Sequence, residues 1–394
     1  MKRFAVFNPE HDLALANGDA HYLAPRNIRE MAHDLAPLMD YLAWDTPWGW
    51  DAAIVNYLHK SGIPRQELPN DAMLAALRTR SERITAHHLL QQMLPLSVHL
   101  TGESYVCRSL DDIKTYATQH SHLLLKAPLS GSGKGLRHLN LNDNHPSSRR
   151  STSALTLSLK KIESWADALI RRHGYLTAEP YYDKVQDFAM EFIVADGQCH
   201  FIGYSLFTTD DHGRYDSNLL LSDADIEARL SEYIPHSVLH DVRHFVETHS
   251  DLIIPAEWDT SRFPITFGID MMIVNDRGQQ PTADGQHPIR PDGNSQLRIQ
   301  NSEFNLHPCV EINLRANMGI VAHEVRRHLM APEATGIYRL TLFADHAALA
   351  AFDEEQRTLY PALYRDGLLV RGYHPLTSTE GNARHLAYVI GKEV

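Results

Sequence analysis

The sequence predicts a mixed α/β chain, α+β in arrangement, made of two or three packed units rather than one. Three observations lead there. The chain has 394 residues, more than a single hydrophobic core usually organises. Short apolar runs bounded by Gly, Pro and Asn alternate with longer stretches of helical period, which is the pattern of strands interleaved with helices. Hydrophobic residues make up 43% and charged residues 22%, without a low-complexity tract, so the chain can bury a catalytic cleft between lobes.

The same numbers exclude several classes. A net charge of −12 argues against a duplex nucleic-acid binder, which needs a broad basic face. It leaves room for a nucleotide pocket with a few local cations. Cys107, Cys199 and Cys309 lie far apart and form no CxxC pair, so neither a zinc site nor a disulfide framework is expected. The apolar run after Lys2 and Arg3 stops at Asn8-Pro9, too short for a signal core or a membrane span. Cytoplasmic residence and no membrane partner are the expectation, with a homo-oligomer allowed. The 25 histidines show no tight ligand spacing, and His11, His21 and His33 read as surface or packing residues, with His11 a candidate for substrate contact.

In chain order, Phe4–Phe7 suits a first strand that feeds the polar loop Asn8-Pro9-Glu10-His11-Asp12. Asp12 then reads as the N-cap of a helix over Leu13–Ala16. A second apolar stretch, Ala52–Leu58, completes an N-terminal α/β unit over residues 1–78. Glu82–Leu94 has helical period, with Ile84, His88, Leu89 and Met93 on one face, and Asp111–Ala117 reads as another helix. The strand Leu123–Lys126 runs into Ser130-Gly131-Ser132-Gly133-Lys134-Gly135, and a glycine-rich loop after a strand can cradle phosphate. Beyond the polar linker 142–153 come a helix over Ile162–Arg172 and the stretch Ala178-Glu179-Pro180-Tyr181. Phe188–Val194 and His200–Phe207 read as a hairpin turning at Asp196-Gly197. Ile265–Val274 and Val310–Leu314 are strand-like, and the polar segment 276–305 between them reads as an insertion or flap. A tail over 331–394 carries a strand, Gly336–Phe343, and a helix, Ala347–Arg357, for which surface packing is the plain expectation.

Commoner phosphate motifs fail at the glycine loop. A Walker A loop would need glycine at Pro128 and Ser or Thr at Gly135, and Gly131, Gly133 and Gly135 follow G-x-G-x-G instead of G-x-G-x-x-G. Alone, the loop reads equally as a hairpin or linker. A second cluster adds chemistry. In Val310-Glu311-Ile312-Asn313-Leu314-Arg315, strand alternation places Glu311, Asn313 and Arg315 on one face. A carboxylate and an amide oxygen two residues apart suit Mg²⁺. Asp270, inside the apolar run Gly268–Val274, demands a partner, and an ion pair with Arg315 is the structural alternative.

The order of strand lysine with glycine loop, Glu-Pro-Tyr-Tyr, Asp strand and Glu-x-Asn-x-Arg resembles the ATP-grasp superfamily, as in biotin carboxylase and D-alanine:D-alanine ligase, over residues 79–330. The resemblance implies an ATP-grasp fold with an N-terminal domain, residues 1–78, and a C-terminal extension, residues 331–394. It implies that Lys126 contacts the phosphates of ATP under a mobile flap, Ser130 to Gly135. Arg83 stands where the family often has an earlier lysine. Glu179 would accept from the adenine amino group, with the backbone of Pro180 and Tyr181 as hinge, and Asp187 or Glu191 would bind the ribose. Asp270 and Glu311 would hold one Mg²⁺ and Glu311 and Asn313 a second, and Arg315 would face the transferring phosphate. The implied activity is ligation of a small-molecule carboxylate to an amine through an acyl phosphate, releasing ADP and phosphate. A phosphotransferase on a small-molecule acceptor and a catalytically inactive nucleotide-binding protein are the alternatives.

Overall fold

The computed structural model describes residues 3–130, 135–140, 152–209, 215–275 and 303–393. Gly131, Ser132, Gly133 and Lys134, and nearly all of the segment 276–305, lie outside the described residues. The hairpin expected around Asp196-Gly197 forms from β5 (Lys184–Ala195) and β6 (Gln198–Thr209). Its turn residues have φ of 50° and 75°, the left-handed pair that a two-residue connection needs to match strand twist. Phe188, Met190, Phe192 and Val194 enter the main core, so alternation turns Asp187, Ala189 and Glu191 to the opposite face.

Two antiparallel sheets carry the fold. The smaller runs β1 (Tyr105–Cys107), β4 (Leu176–Pro180), β2 (His122–Lys126), β3 (Leu136–Asn140). The helices α6 (Leu110–Ala117) and α7 (Thr152–His173) cover one of its faces. Among the described residues the larger has nine strands. From β6 and β5 it continues through β8 (Ile265–Asn275) to an outer strand, β9 (Phe304–Asn313). In the other direction it passes through β7 (Tyr215–Leu220), β10 (Ala334–Leu342), β13 (His385–Glu393), β12 (Leu368–Pro375) and β11 (Leu363–Arg365). The residues after 330 therefore extend this sheet, with β10 pairing β7 through Gly336 opposite Leu220, instead of packing on its surface.

Among the described residues, the expected N-terminal unit contains no strand. Among the described residues, 3–78 contain helices and irregular chain: α1 (His11–Asn17), α2 (Arg26–Leu35), α3 (Ala52–Lys60) and the start of α4 (Asp71–Arg80). Phe4–Phe7 has no neighbouring strand to ladder with and is held by separate bonds, the Trp48 amide donating to the Val6 carbonyl at 2.8 Å. Ala52–Leu58 is helical because Asp51 caps it, accepting from the Ile54 amide at 2.8 Å, and because Ile54, Val55 and Leu58 bury at helical spacing. With Trp50 they share the core of β5 and β8. On α5 (Arg83–Met93) the buried stripe is Ala86, Leu89, Leu90 and Met93, shifted from the expected one, and it takes Arg83 into the interior.

The site face of the large sheet is closed at one end by α10 (Met318–Leu329). Asn317 caps that helix by accepting from the Ile320 amide at 3.0 Å, and its side-chain amide donates to Glu191 at 2.7 Å. Close approach requires two glycines: a Cβ on Gly319 would stand 2.1 Å from Glu191 Oε1, and one on Gly268 would stand 2.3 Å from Glu191 Oε2. Gly319→Ala is therefore expected to destabilise the protein by about 2 kcal/mol through overpacking, read as a lowered denaturant midpoint at unchanged slope; an unchanged midpoint would show that the helix seats less tightly than this.

Candidate active site

Asp270 of β8 lies directly opposite Glu311 of β9, and Gly268 lies opposite Asn313. The register of β5 on β8 adds Asp187 and Glu191 to the same face, opposite Met272 and Gly268. One sheet face thus carries a row of carboxylates. Burial, then the Glu311 charge, pushes the Asp270 pKa up to about 7. The Asn313 amide moderates this by donating to Asp270 Oδ2 at 3.1 Å. Arg83 serves Glu311: its Nη2 donates to Oε1 at 2.9 Å, while its Nε donates to the Ala127 carbonyl at 3.0 Å.

The small sheet faces this row. Lys126 and Glu179, on adjacent strands β2 and β4, form a buried ion pair at 2.5 Å. Lys126 Nζ also donates to the Val310 carbonyl of β9 at 3.2 Å, which stitches the two sheets together. The base of the glycine loop is closed by the Ala127 amide donating to the Gly135 carbonyl at 2.9 Å, with Ser130 Oγ within reach of Arg83 Nη2 at 3.4 Å. Where the end of β9, the start of α5 and the chain after β2 meet, a small cleft opens whose wall includes His11, Asp12, Arg83, Ser130, Glu311 and Asn313.

Lys126, Arg83, Ser130, Glu179, Asp270, Glu311 and Asn313 are thus linked by short contacts in one region of the structure. Four expectations change. Arg315 is not on the strand face, because β9 ends at Asn313 and the Arg315 amide turns back to the Asn313 carbonyl at 2.8 Å. Its guanidinium grips Asp12 with two bonds of 3.0 and 2.7 Å, and the alternative pairing with Asp270 does not form. Asp12 is accordingly no N-cap; Glu10 precedes α1 and makes no side-chain cap. Burial alone would raise the Asp12 pKa, yet Arg315 holds it low. Glu191 is 1% exposed and enclosed by Asn317, Gly268 and Gly319, which leaves Asp187, bonded to Lys184 and Thr209, as the ribose candidate. The Tyr181 amide already donates to the His122 carbonyl at 3.0 Å and its ring stacks on His122 at 4.2 Å, so the hinge amide is engaged.

The donor set fits Mg²⁺. Among the described residues no group of three or more His, Cys, Asp or Glu stands ready to hold a metal. Mg²⁺, however, is usually bound by one or two carboxylates completed by phosphates and water, and Asp270, Glu311 and the Asn313 amide offer that. The raised pKa of Asp270 marks a carboxylate pair short of positive charge. Sequence reasoning singled out His11 of the polar loop as a candidate for substrate contact but read Asp12 only as a helix cap, and so missed its pairing with Arg315. It also missed His307, fully buried and without a hydrogen-bond partner, whose pKa burial and then Lys126 push down to about 3.

No family model matches the chain, and no curated protein matches it in sequence. Among solved structures, N5-carboxyaminoimidazole synthetase from Staphylococcus aureus, complexed with ADP, is similar at TM-score 0.44 and 11% identity, covering 93% of this chain and 79% of that one. Biotin carboxylase from Campylobacter jejuni is similar at TM-score 0.47 and 13% identity, covering 88% of this chain and 70% of that one. For L-amino acid ligase from Bacillus licheniformis the values are 0.44 and 13%, with 86% and 73% covered.

Glu191 yields a pH prediction. Burial raises its pKa from 4.5 to about 8, so the folded state holds a proton that the unfolded chain releases, and stability falls as pH rises from about 4.5 to about 8. Glu191→Gln is expected to match the wild type near the lower end of that window and to exceed it above the upper end, by on the order of 5 kcal/mol. Parallel stability–pH curves for the two proteins would refute the assignment.

Proposed function

We propose that the chain is an ATP-grasp enzyme that uses ATP and Mg²⁺ to join a small-molecule carboxylate to an amine through an acyl phosphate, releasing ADP and phosphate. The observation that carries the reading is convergence. Arg83 and Glu311, 228 positions apart in the chain, meet at 2.9 Å, beside a lysine strand and a carboxylate pair contributed by different sheets. Nucleotide phosphates need cations on one side and a metal-binding acidic set on the other, and this cleft has both.

Lys126 would bind the phosphates from the small sheet, with Ser130, Gly131, Ser132, Gly133, Lys134 and Gly135 as their cover. Asp187 would take the ribose hydroxyls. Glu179 would meet the adenine amino group only as its bond to Lys126 loosens, so nucleotide entry and separation of this ion pair are linked. Mg²⁺ held by Asp270, Glu311 and Asn313 would supply charge neutralisation at the γ-phosphoryl group. Arg315, committed to Asp12, would order the N-terminal loop beside the transferring phosphate. An acyl phosphate is destroyed by water, so the cleft must be dry while the amine arrives.

The test is a panel of carboxylates and amines that includes the standard amino acids, assayed with ATP and Mg²⁺. The expected products are stoichiometric ADP, phosphate and amide, with a hydroxamate when hydroxylamine replaces the amine. A stable phosphorylated product requiring no second substrate would establish a phosphotransferase instead, and AMP with pyrophosphate would contradict both. Glu311→Gln should lower turnover at least about 10²-fold. Lys126→Met paired with Glu179→Gln, which leaves no lone buried charge, should weaken ATP binding about 10- to 100-fold. Wild-type ATP affinity in the double variant would remove Lys126 from the site.

A further inference from the structure

The loop Asn8 to Asp12 is tied to the acidic site by bonds that nucleotide binding does not require. The Ala316 amide donates to the Trp48 carbonyl at 2.8 Å, and the Trp48 amide donates to the Val6 carbonyl at 2.8 Å. These bonds set the segments around residues 8–12 and 49–51 beside the end of β9. His11, 1% exposed, lines the same cleft wall as Arg83, Glu311 and Asn313.

The ring is fixed from behind. Its Nδ1 lies 3.1 Å from Asp51 Oδ2. Asp51 is itself immobilised, capping α3 through Oδ1 and accepting from Asn8 Nδ2 at 3.2 Å. Asn8 is pinned on both ends of its amide by the Gly49 backbone, at 2.9 and 3.2 Å. Gly49 has to be glycine here, since a Cβ would stand 2.4 Å from the imidazole. A carboxylate facing Nδ1 selects the tautomer with the proton on Nδ1, which leaves Nε2 as an acceptor. Nε2 is buried and has no hydrogen-bond partner. A histidine that served packing alone would need none of this scaffolding.

The geometry points to His11 Nε2 as the group that takes a proton from the acceptor amine, with Asp51 as its positioning residue. This deepens the ligase reading and rests on it. An amine that enters uncharged uses its lone pair to form the C–N bond at the acyl carbon. The bond from that carbon to the phosphate oxygen breaks, and its electron pair leaves on phosphate. The proton shed by nitrogen passes to Nε2 and from there to the departing phosphate, so the products are amide and hydrogen phosphate and His11 ends neutral.

Two measurements on the full chain test this. In ¹⁵N-histidine NMR of the protein recorded across a pH series, with the His11 signal assigned by its loss in His11→Gln, the neutral ring is expected to carry its proton on Nδ1, and Asp51→Asn should move it to Nε2, because an amide donor replaces the acceptor while still capping α3. A neutral wild-type ring with its proton on Nε2 overturns the assignment whatever the enzyme's reaction. In the amino-acid panel with ATP and Mg²⁺, His11→Gln and Asp51→Asn should each lower amide formation about 10²-fold further than hydroxamate formation from hydroxylamine, which attacks acyl phosphates unaided. Equal loss of both products, or loss of neither, overturns the role of His11 alone. A wild type that yields neither amide nor hydroxamate sinks the ligase reading, and this proposal with it.

Discussion

Asp270 and Glu311 are opposed across the β8–β9 ladder, and like charges so placed in a half-buried setting need compensation. Much of the neighbourhood can be read as the answer to that constraint. Arg83 is carried into the interior on α5 to meet Glu311, Asn313 lends its amide to Asp270, and Lys126 approaches from the other sheet to reach the backbone of the same strand. The positive charge that remains wanting is what a nucleotide's metal would bring. The row does not consist of equivalent acids: Glu191, deeper along the face, has burial and Asn317 as its main determinants and serves to seat α10, while Asp187 lies nearer the rim.

The site is also a junction of sequence-distant parts. β9 is an outer strand of the large sheet, and outer strands present unpaired backbone groups. Here the Val310 carbonyl is taken by Lys126, and the chain just beyond the strand is taken by Asp12 and Trp48. The N-terminal segment, though built of helices, thereby becomes part of the cleft wall and shares its hydrophobic core with the central strands. Its removal would strip Arg315 of its partner and open the cleft from one side.

What the sequence revealed and what it hid follow from the range of the interactions. The hairpin at Asp196-Gly197 was legible because turn chemistry and strand alternation are local, and the pairing of Glu311 with Asn313 on one face followed from period two alone. Arg315 escaped because the strand stops two residues earlier, a termination set by the turn back to Asn313 rather than by residue type. Phe4–Phe7 and Ala52–Leu58 misled because a short apolar run is compatible with strand or helix until its neighbours are known. Between Asp187 and Glu191 the sequence favoured Asp187 by its resemblance alone; the enclosure of Glu191 by Gly268, Gly319 and Asn317 depends on distant segments and was not legible. His11 and Asp51 are forty residues apart, and nothing local marks them as partners.

In the proposed function ATP would lie between the two sheets, its phosphates bracketed by Lys126 on one side and Asp270, Glu311 and Asn313 on the other. The most direct measurement is a crystal structure of the protein with a non-hydrolysable ATP analogue and Mg²⁺. The terminal phosphate is expected within hydrogen-bonding reach of Lys126 and bridged through the metal to Asp270 and Glu311. A nucleotide bound elsewhere, or bound here with those two carboxylates free of metal, would contradict this placement.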